Sequence, residues 1–164
     1  MRHRVAVGNQ LRAHLLSVVP AAAGLFCKLY SAISLGFLAR FDCQDRADWL
    51  PGKRLAAWLT GTGYSGRATP ADLYQRLQSA PRGAIGDEGA ASAQVTRALA
   101  AVLASLNTQI KALEAQIAAQ LAAHADGHIF TSLPRPGTVR AALWGSKTLP
   151  LVLSWAFRRR ARIR

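Results

Sequence analysis

Residues 99–117 read LAAVLASLNTQIKALEAQI, and this stretch decides the fold class. Its large apolar residues, Leu99, Leu103, Leu106, Ile110, Leu113 and Ile117, follow one another at alternating spacings of four and three. A helix brings residues so spaced onto one face, whereas a half-buried strand would alternate every second residue. With Leu103, Ile110 and Ile117 at the a positions of a heptad and Leu99, Leu106 and Leu113 at d, the a layer is mostly β-branched and the d layer is leucine. That choice favours two-stranded packing of parallel helices. The same face also suits a long core helix paired with another helix of its own chain. The pattern predicts a helix over 90–126, stopped at Asp126-Gly127.

On the N-terminal side of this helix, Pro81 to Gly89 (PRGAIGDEG) is rich in turn residues and reads as a loop. Three short helical pieces are expected between Asp45 and Ala80. Trp49 and Leu50 close the first, Leu55, Trp58 and Leu59 mark the second, and Pro70 opens the third. Thr69 ahead of Pro70, with Asp72 in the first turn, is a helix start that would bury Leu73, Tyr74 and Leu77. Earlier still, Val7, Leu11, Leu15 and Val18 predict an amphipathic helix ended by Pro20. Ser31 to Phe41 predicts another, capped by Ser31, with Ile33, Phe37 and Phe41 on one face. After Ala142 no period survives, and Arg158 to Arg164 is nearly all arginine. The expected fold is all-α: a bundle of short helices, one long coiled-coil-like helix, and an irregular basic C-terminal tail. It divides into a helical region 1–80, a loop 81–89, the heptad helix 90–126, the start of a C-terminal domain 127–142, and the tail 143–164.

A chain of 164 residues is one domain or part of one. Its 51% hydrophobic content overstates the core, because 32 residues are alanine, which favours helix but buries little surface. The low aromatic content argues against a β-sandwich or barrel. Two cysteines, Cys27 and Cys43, make no disulfide framework, so a reducing cytosol is the expected compartment. Cys27 lies in an apolar run beside Lys28 and is expected as a buried thiol.

Against 21 basic residues stand 8 acidic ones, a net charge of +13. Residues 1–41 carry Arg2, Arg4, Arg12, Lys28 and Arg40 with no acid, residues 42–126 balance, and residues 127–164 carry eight bases with no acid. Such ends suit nucleic acid, an anionic membrane face, or no ordered partner. Arg4 and Arg12 are the candidate nucleic-acid contacts of the N-terminal part. The apolar runs at 15–27 and 29–39 are shorter than the roughly 18 residues of a spanning helix. Asn9, Gln10, Arg12 and His14 interrupt what would be a signal peptide, so no membrane partner is expected.

Four local patterns bear on chemistry. Gly61-Thr62-Gly63-Tyr64-Ser65-Gly66 has the letters of a dinucleotide-binding loop, but a helical pattern precedes it where a strand is required, so it reads as a turn between helices. His124 and His128 have metal-ligand spacing, yet Gly127 interrupts their helix and no third ligand lies nearby, so no metal site is expected. The eight acids sit mostly where caps and solvated faces put them; Asp45 and Asp48 beside Arg46 and Trp49 are an example, and no catalytic constellation emerges. Leu133 to Ala142 (LPRPGTVRAA) is a proline-glycine turn entering a helix, where a phosphate could rest on free amides at Gly137 and Thr138 between Arg135 and Arg140.

Several of these segments resemble, in order, the middle of transposases of the insertion sequence 110 family (the 116/110/902 group). They are Asn9-Gln10-Leu11-Arg12-Ala13-His14-Leu15, Ile33 to Leu38, Lys53 to Leu59, the loop Ala80-Pro81-Arg82-Gly83 with Gly86-Asp87-Glu88-Gly89, Gln109 to Ile117, and His128 to Pro134. The resemblance covers about Val5 to Ala142. In that family an N-terminal RuvC-like domain carries an Asp-Glu-Asp-Asp metal site, a helical and coiled-coil region follows, and a C-terminal domain carries a catalytic serine. The enzymes recombine DNA under the guidance of a bridge RNA.

The resemblance implies that this chain is the helical middle of such a transposase, with the acidic tetrad expected before Met1 and the serine beyond Ala142. No catalytic residue is carried over, Ser146 and Ser154 included, and no cofactor is expected here, although the full-length family uses a divalent metal. The implied partners are DNA and a guide RNA, with self-association or pairing with transposase domains through Leu99 to Ile117. Loss of both period and resemblance after Ala142 implies a shifted reading frame in the tail. The alternative is a non-enzymatic helical interaction protein that associates through its heptad helix.

Overall fold

The computed structural model describes residues 2–124. Among them are seven helices and no strand: α1 (Arg2–Val18), α2 (Pro20–Leu25), α3 (Ala32–Arg40), α4 (Gln44–Asp48), α5 (Gly52–Gly61), α6 (Pro70–Ser79) and α7 (Gly86–Ala123). The all-α architecture with one long helix is as the hydrophobic periods require. The turn at Arg135 to Arg140, His128, the helix stop at Asp126-Gly127, the domain start 127–142 and the tail 143–164 lie outside the described residues.

Burial follows the apolar spacing. Leu11, Leu15 and Val18 of α1, Phe37 and Leu38 of α3, Leu55 and Leu59 of α5 and Leu73 of α6 share one core, with Val7, Ile33, Trp58, Tyr74 and Leu77 packed against it. Its centre is aromatic. Phe37 meets Phe26 edge-on at 5.8 Å, Trp58 edge-on at 5.8 Å and Phe41 at 4.9 Å between ring centroids. Pairs of this kind contribute about 1 kcal/mol each beyond their buried area.

Pro20 does more than end α1. It occupies the first turn of α2, where the missing N–H costs nothing, and so opens a six-residue helix that buries Ala21, Ala22, Ala23 and Leu25. The start of α3 is held by Ser31, whose hydroxyl accepts from the Ser34 amide, and that of α6 by a capping box between Thr69 and Asp72.

The long helix starts at Gly86 rather than at residue 90, because polar groups of α4 provide for its first turn. Gly86 adopts a φ of +64° and donates its amide to Asp45 Oδ2 at 3.0 Å. A carboxylate there also opposes the positive end of the helix dipole. The preceding loop is fixed along its length. The Gly83 amide donates to Gln44 Oε1, Arg82 pairs with Asp48, and the Ala84 amide donates to the Ser17 carbonyl. A Cβ at Gly83 would run into the carbonyl of Val18, so this position has room for glycine alone. Asp45 and Asp48 are solvent-exposed, as the sequence implies, and also hold the loop in place.

Met1–Asn107 forms one compact unit and Thr108–Arg164 a second. Within the first, α7 buries Gly89, Ala93, Thr96, Ala100 and Leu103. These residues also alternate by four and three, but they occupy the a and e positions of the heptad rather than a and d. Leu99 is half-buried and Val102 is exposed. Most of the side chains on this face are small, and polar bonds fix its register. His14 Nε2 lies 3.0 Å from Thr96 Oγ1 and 3.2 Å from the Ser92 carbonyl, and Asn107 Nδ2 donates to the Tyr30 carbonyl at 2.7 Å. Asp42, wholly buried, receives Arg46 at 3.0 Å and Arg97 of α7 at 2.9 Å on Oδ2. In the second unit, Ile110 and Ile117 are half-buried, Leu121 is buried, and Leu113 is 56% exposed.

Among the described residues α7 is the one helix long and apolar enough to cross a membrane by length and composition. Alanine supplies much of that character, and Thr96, Arg97 and Asn107 on the same helix are engaged in polar bonds with the rest of the first unit.

Candidate nucleic-acid interface

The glycine-rich segment ends α5 through backbone bonding. Thr62 is the C-cap; Gly63, at φ +66°, donates its amide to the Thr60 carbonyl, and Tyr64 donates to the Leu59 carbonyl. This paired arrangement is a Schellman stop, which needs a residue tolerant of the left-handed region at Gly63. The Tyr64 side chain then folds over Gly66, where a Cβ would collide with its ring. The glycines therefore serve the turn itself, as the helical pattern ahead of them implies.

The turn faces the connection between α2 and α3, and a cleft of about 830 Å³ lies between them. Its walls include Phe26, Cys27, Lys28 and Ser31 from the connection, Gly63 to Ala68 from the turn, and Arg76 from α6. The far wall leads into the aromatic core, since Tyr64 meets Phe26 edge-on at 5.9 Å. A second groove, of about 160 Å³, opens on the other side of the connection. Arg4, Asn9 and Arg12 of α1 line it together with Cys27, Lys28 and Tyr30. Arg4 lies over the Tyr30 ring at 4.9 Å, a cation–π contact that leaves its guanidinium N–H groups free to bond elsewhere in the plane.

The two recesses share Cys27 and Lys28, so one basic surface runs from Arg4 and Arg12 through Lys28 to Arg67 and Arg76. Neither lining contains an aspartate or glutamate. The nearest acid in sequence is Asp72, one turn before Arg76 on α6. Hydrogen bonding to the Thr69 side chain, then to its backbone N–H, holds the Asp72 carboxyl below the usual aspartate range, and the charge of Arg76 adds to this.

Arg4 and Arg12 thus come together in one groove, and the structure adds Lys28, Arg67 and Arg76 to them. No spacing in the sequence announces that grouping, because three separate segments meet only through packing of α1, α2 and α6. Cys27 is exposed, contrary to the expectation of a buried thiol. Phe26 leaves α2 in extended backbone and takes the inward position, and alternation along extended chain turns the next side chain out. Among the described residues no group of three or more His, Cys, Asp or Glu side chains converges. Comparisons with family models, curated proteins and solved structures find no match to this chain.

Proposed function

We propose that this chain is a nucleic-acid-binding helical module of a transposase or recombinase of the insertion sequence 110 type, working in the cytoplasm and contributing grip and association rather than chemistry. The observation that carries this reading is the surface from Arg4 to Arg76, with five cations and no carboxylate in the linings of its two adjoining recesses. Phosphate contacts of this kind position a strand without reading its sequence. The collinear resemblance supports the family, and the helical fold with one long helix is compatible with its middle region. The partners in this reading are DNA and guide RNA, with self-association or pairing with transposase domains through α7, whose Leu99, Val102, Leu106 and Leu113 are not fully covered within the chain. A divalent metal belongs to the full-length family and not to this module.

Fluorescence anisotropy of the purified chain with labelled DNA and RNA, across a salt series, tests the binding. Affinity is expected to fall steeply with salt, with a slope of about −0.7 to −0.9 for each phosphate engaged. Arg4→Gln with Arg12→Gln should flatten the slope by about 2. Binding that is indifferent to salt sinks the reading.

A further inference from the structure

We propose that the larger cleft is a pocket for a single phosphate-bearing nucleotide unit, with Lys28, Arg67 and Arg76 holding the phosphate and the exposed part of Tyr64 meeting the base. The proposal rests on the nucleic-acid reading of the basic surface and adds that this recess takes an unpaired nucleotide.

Three observations support it. The volume, about 830 Å³, lies within the range of small-ligand sites, whereas the adjoining groove of about 160 Å³ is too small for more than a backbone contact. No carboxylate lines the cleft, and Lys28, Arg67 and Arg76 make no ion pair among the described residues. The turn adds neutral donors, because the amides of Ser65, Gly66 and Arg67 and the hydroxyls of Tyr64 and Ser65 have no hydrogen-bond partner among the described residues. Cations and backbone amides suit phosphate oxygens, and a half-buried aromatic ring suits a base face. A base within a duplex stays stacked and cannot enter such a recess, so an unpaired nucleotide fits and a base pair does not.

Anisotropy with a single-stranded oligonucleotide, a duplex of the same sequence and a nucleoside monophosphate competitor tests this on the full chain. Arg67→Gln and Arg76→Gln are each expected to weaken single-strand binding about tenfold while changing duplex binding less. Ser65→Glu, at an exposed turn position, should do the same by placing a negative charge in the pocket, with circular dichroism showing unchanged helix. Arg12→Gln, outside the pocket, should weaken single strand and duplex alike. Competition by the monophosphate that disappears in Arg67→Gln identifies a free nucleotide as sufficient; competition by strands alone identifies the unit within a strand. Pocket variants that lose nothing on single strands overturn the pocket while leaving the wider surface intact. A wild-type chain that binds none of the three overturns both.

Discussion

At Thr69 a single hydroxyl decides whether α6 has a start. The Asp72 amide donates to Thr69 Oγ1 at 3.1 Å, and the Thr69 amide donates to Asp72 Oδ2 at 2.9 Å. Thr69→Ala should therefore lower stability by about 1 kcal/mol in urea melts at neutral pH. The carboxylate half of the cap depends on pH. Because folding holds the Asp72 carboxyl below its ordinary value, its contribution is full above about pH 3.9, the unfolded value, and fades as pH falls through the folded one. The gap between wild type and Thr69→Ala should then narrow at pH 3, and a gap that widens would refute this account. The cap was legible in the sequence, since Thr-Pro followed by an acid is local chemistry. Gly83 was not: its need for glycine comes from Val18, which lies far back along the chain.

At the scale of elements, the helices carried by a large apolar stripe match their spacing, as α1, α3, α5 and α6 do. Two outcomes did not follow from that rule. Helix α2 is built on three alanines and its opening Pro20, too little apolar surface to stand out as a period. Helix α7 presents the residues of its leucine heptad unevenly, because the face it buries in the first unit carries Ala93, Thr96 and Ala100 beside Leu103. Leu103 is the one heptad residue wholly buried, and Leu113 is largely exposed. Leu103→Ala should cost about 2–5 kcal/mol. Leu113→Asp should leave the helical circular dichroism intact and lower the mass seen by light scattering if α7 joins copies of the chain. An unchanged mass would remove self-association through Leu113.

Across the whole molecule, the buried ion cluster at Asp42 joins distant parts of the first unit. Arg46 comes from the neighbouring turn, and Arg97 from α7; the remaining oxygen, Oδ1, has no partner. Removing one cation leaves a buried carboxylate under-compensated, whereas neutralising the carboxylate removes its desolvation cost as well. Arg97→Met should accordingly destabilise the chain by about 2 kcal/mol and by more than Asp42→Asn does, as read by thermal or urea melts. The reverse order would mean that the cluster is a net source of stability. The basic surface was legible only as a sum of charge, since Lys28, Arg67 and Arg76 are ordinary surface cations until packing brings their segments together.

The bonds that seat α7 have a bearing on the order in which the protein forms. They span 41 residues at Asp45, 77 at Tyr30 and 78 to 82 at His14. Both recesses, by contrast, are lined by residues between Arg4 and Arg76, with none from α7. Loops that long close late, and a chain leaving the ribosome folds from its N-terminus. Every wall of the two recesses has thus been synthesised before the first turn of the long helix.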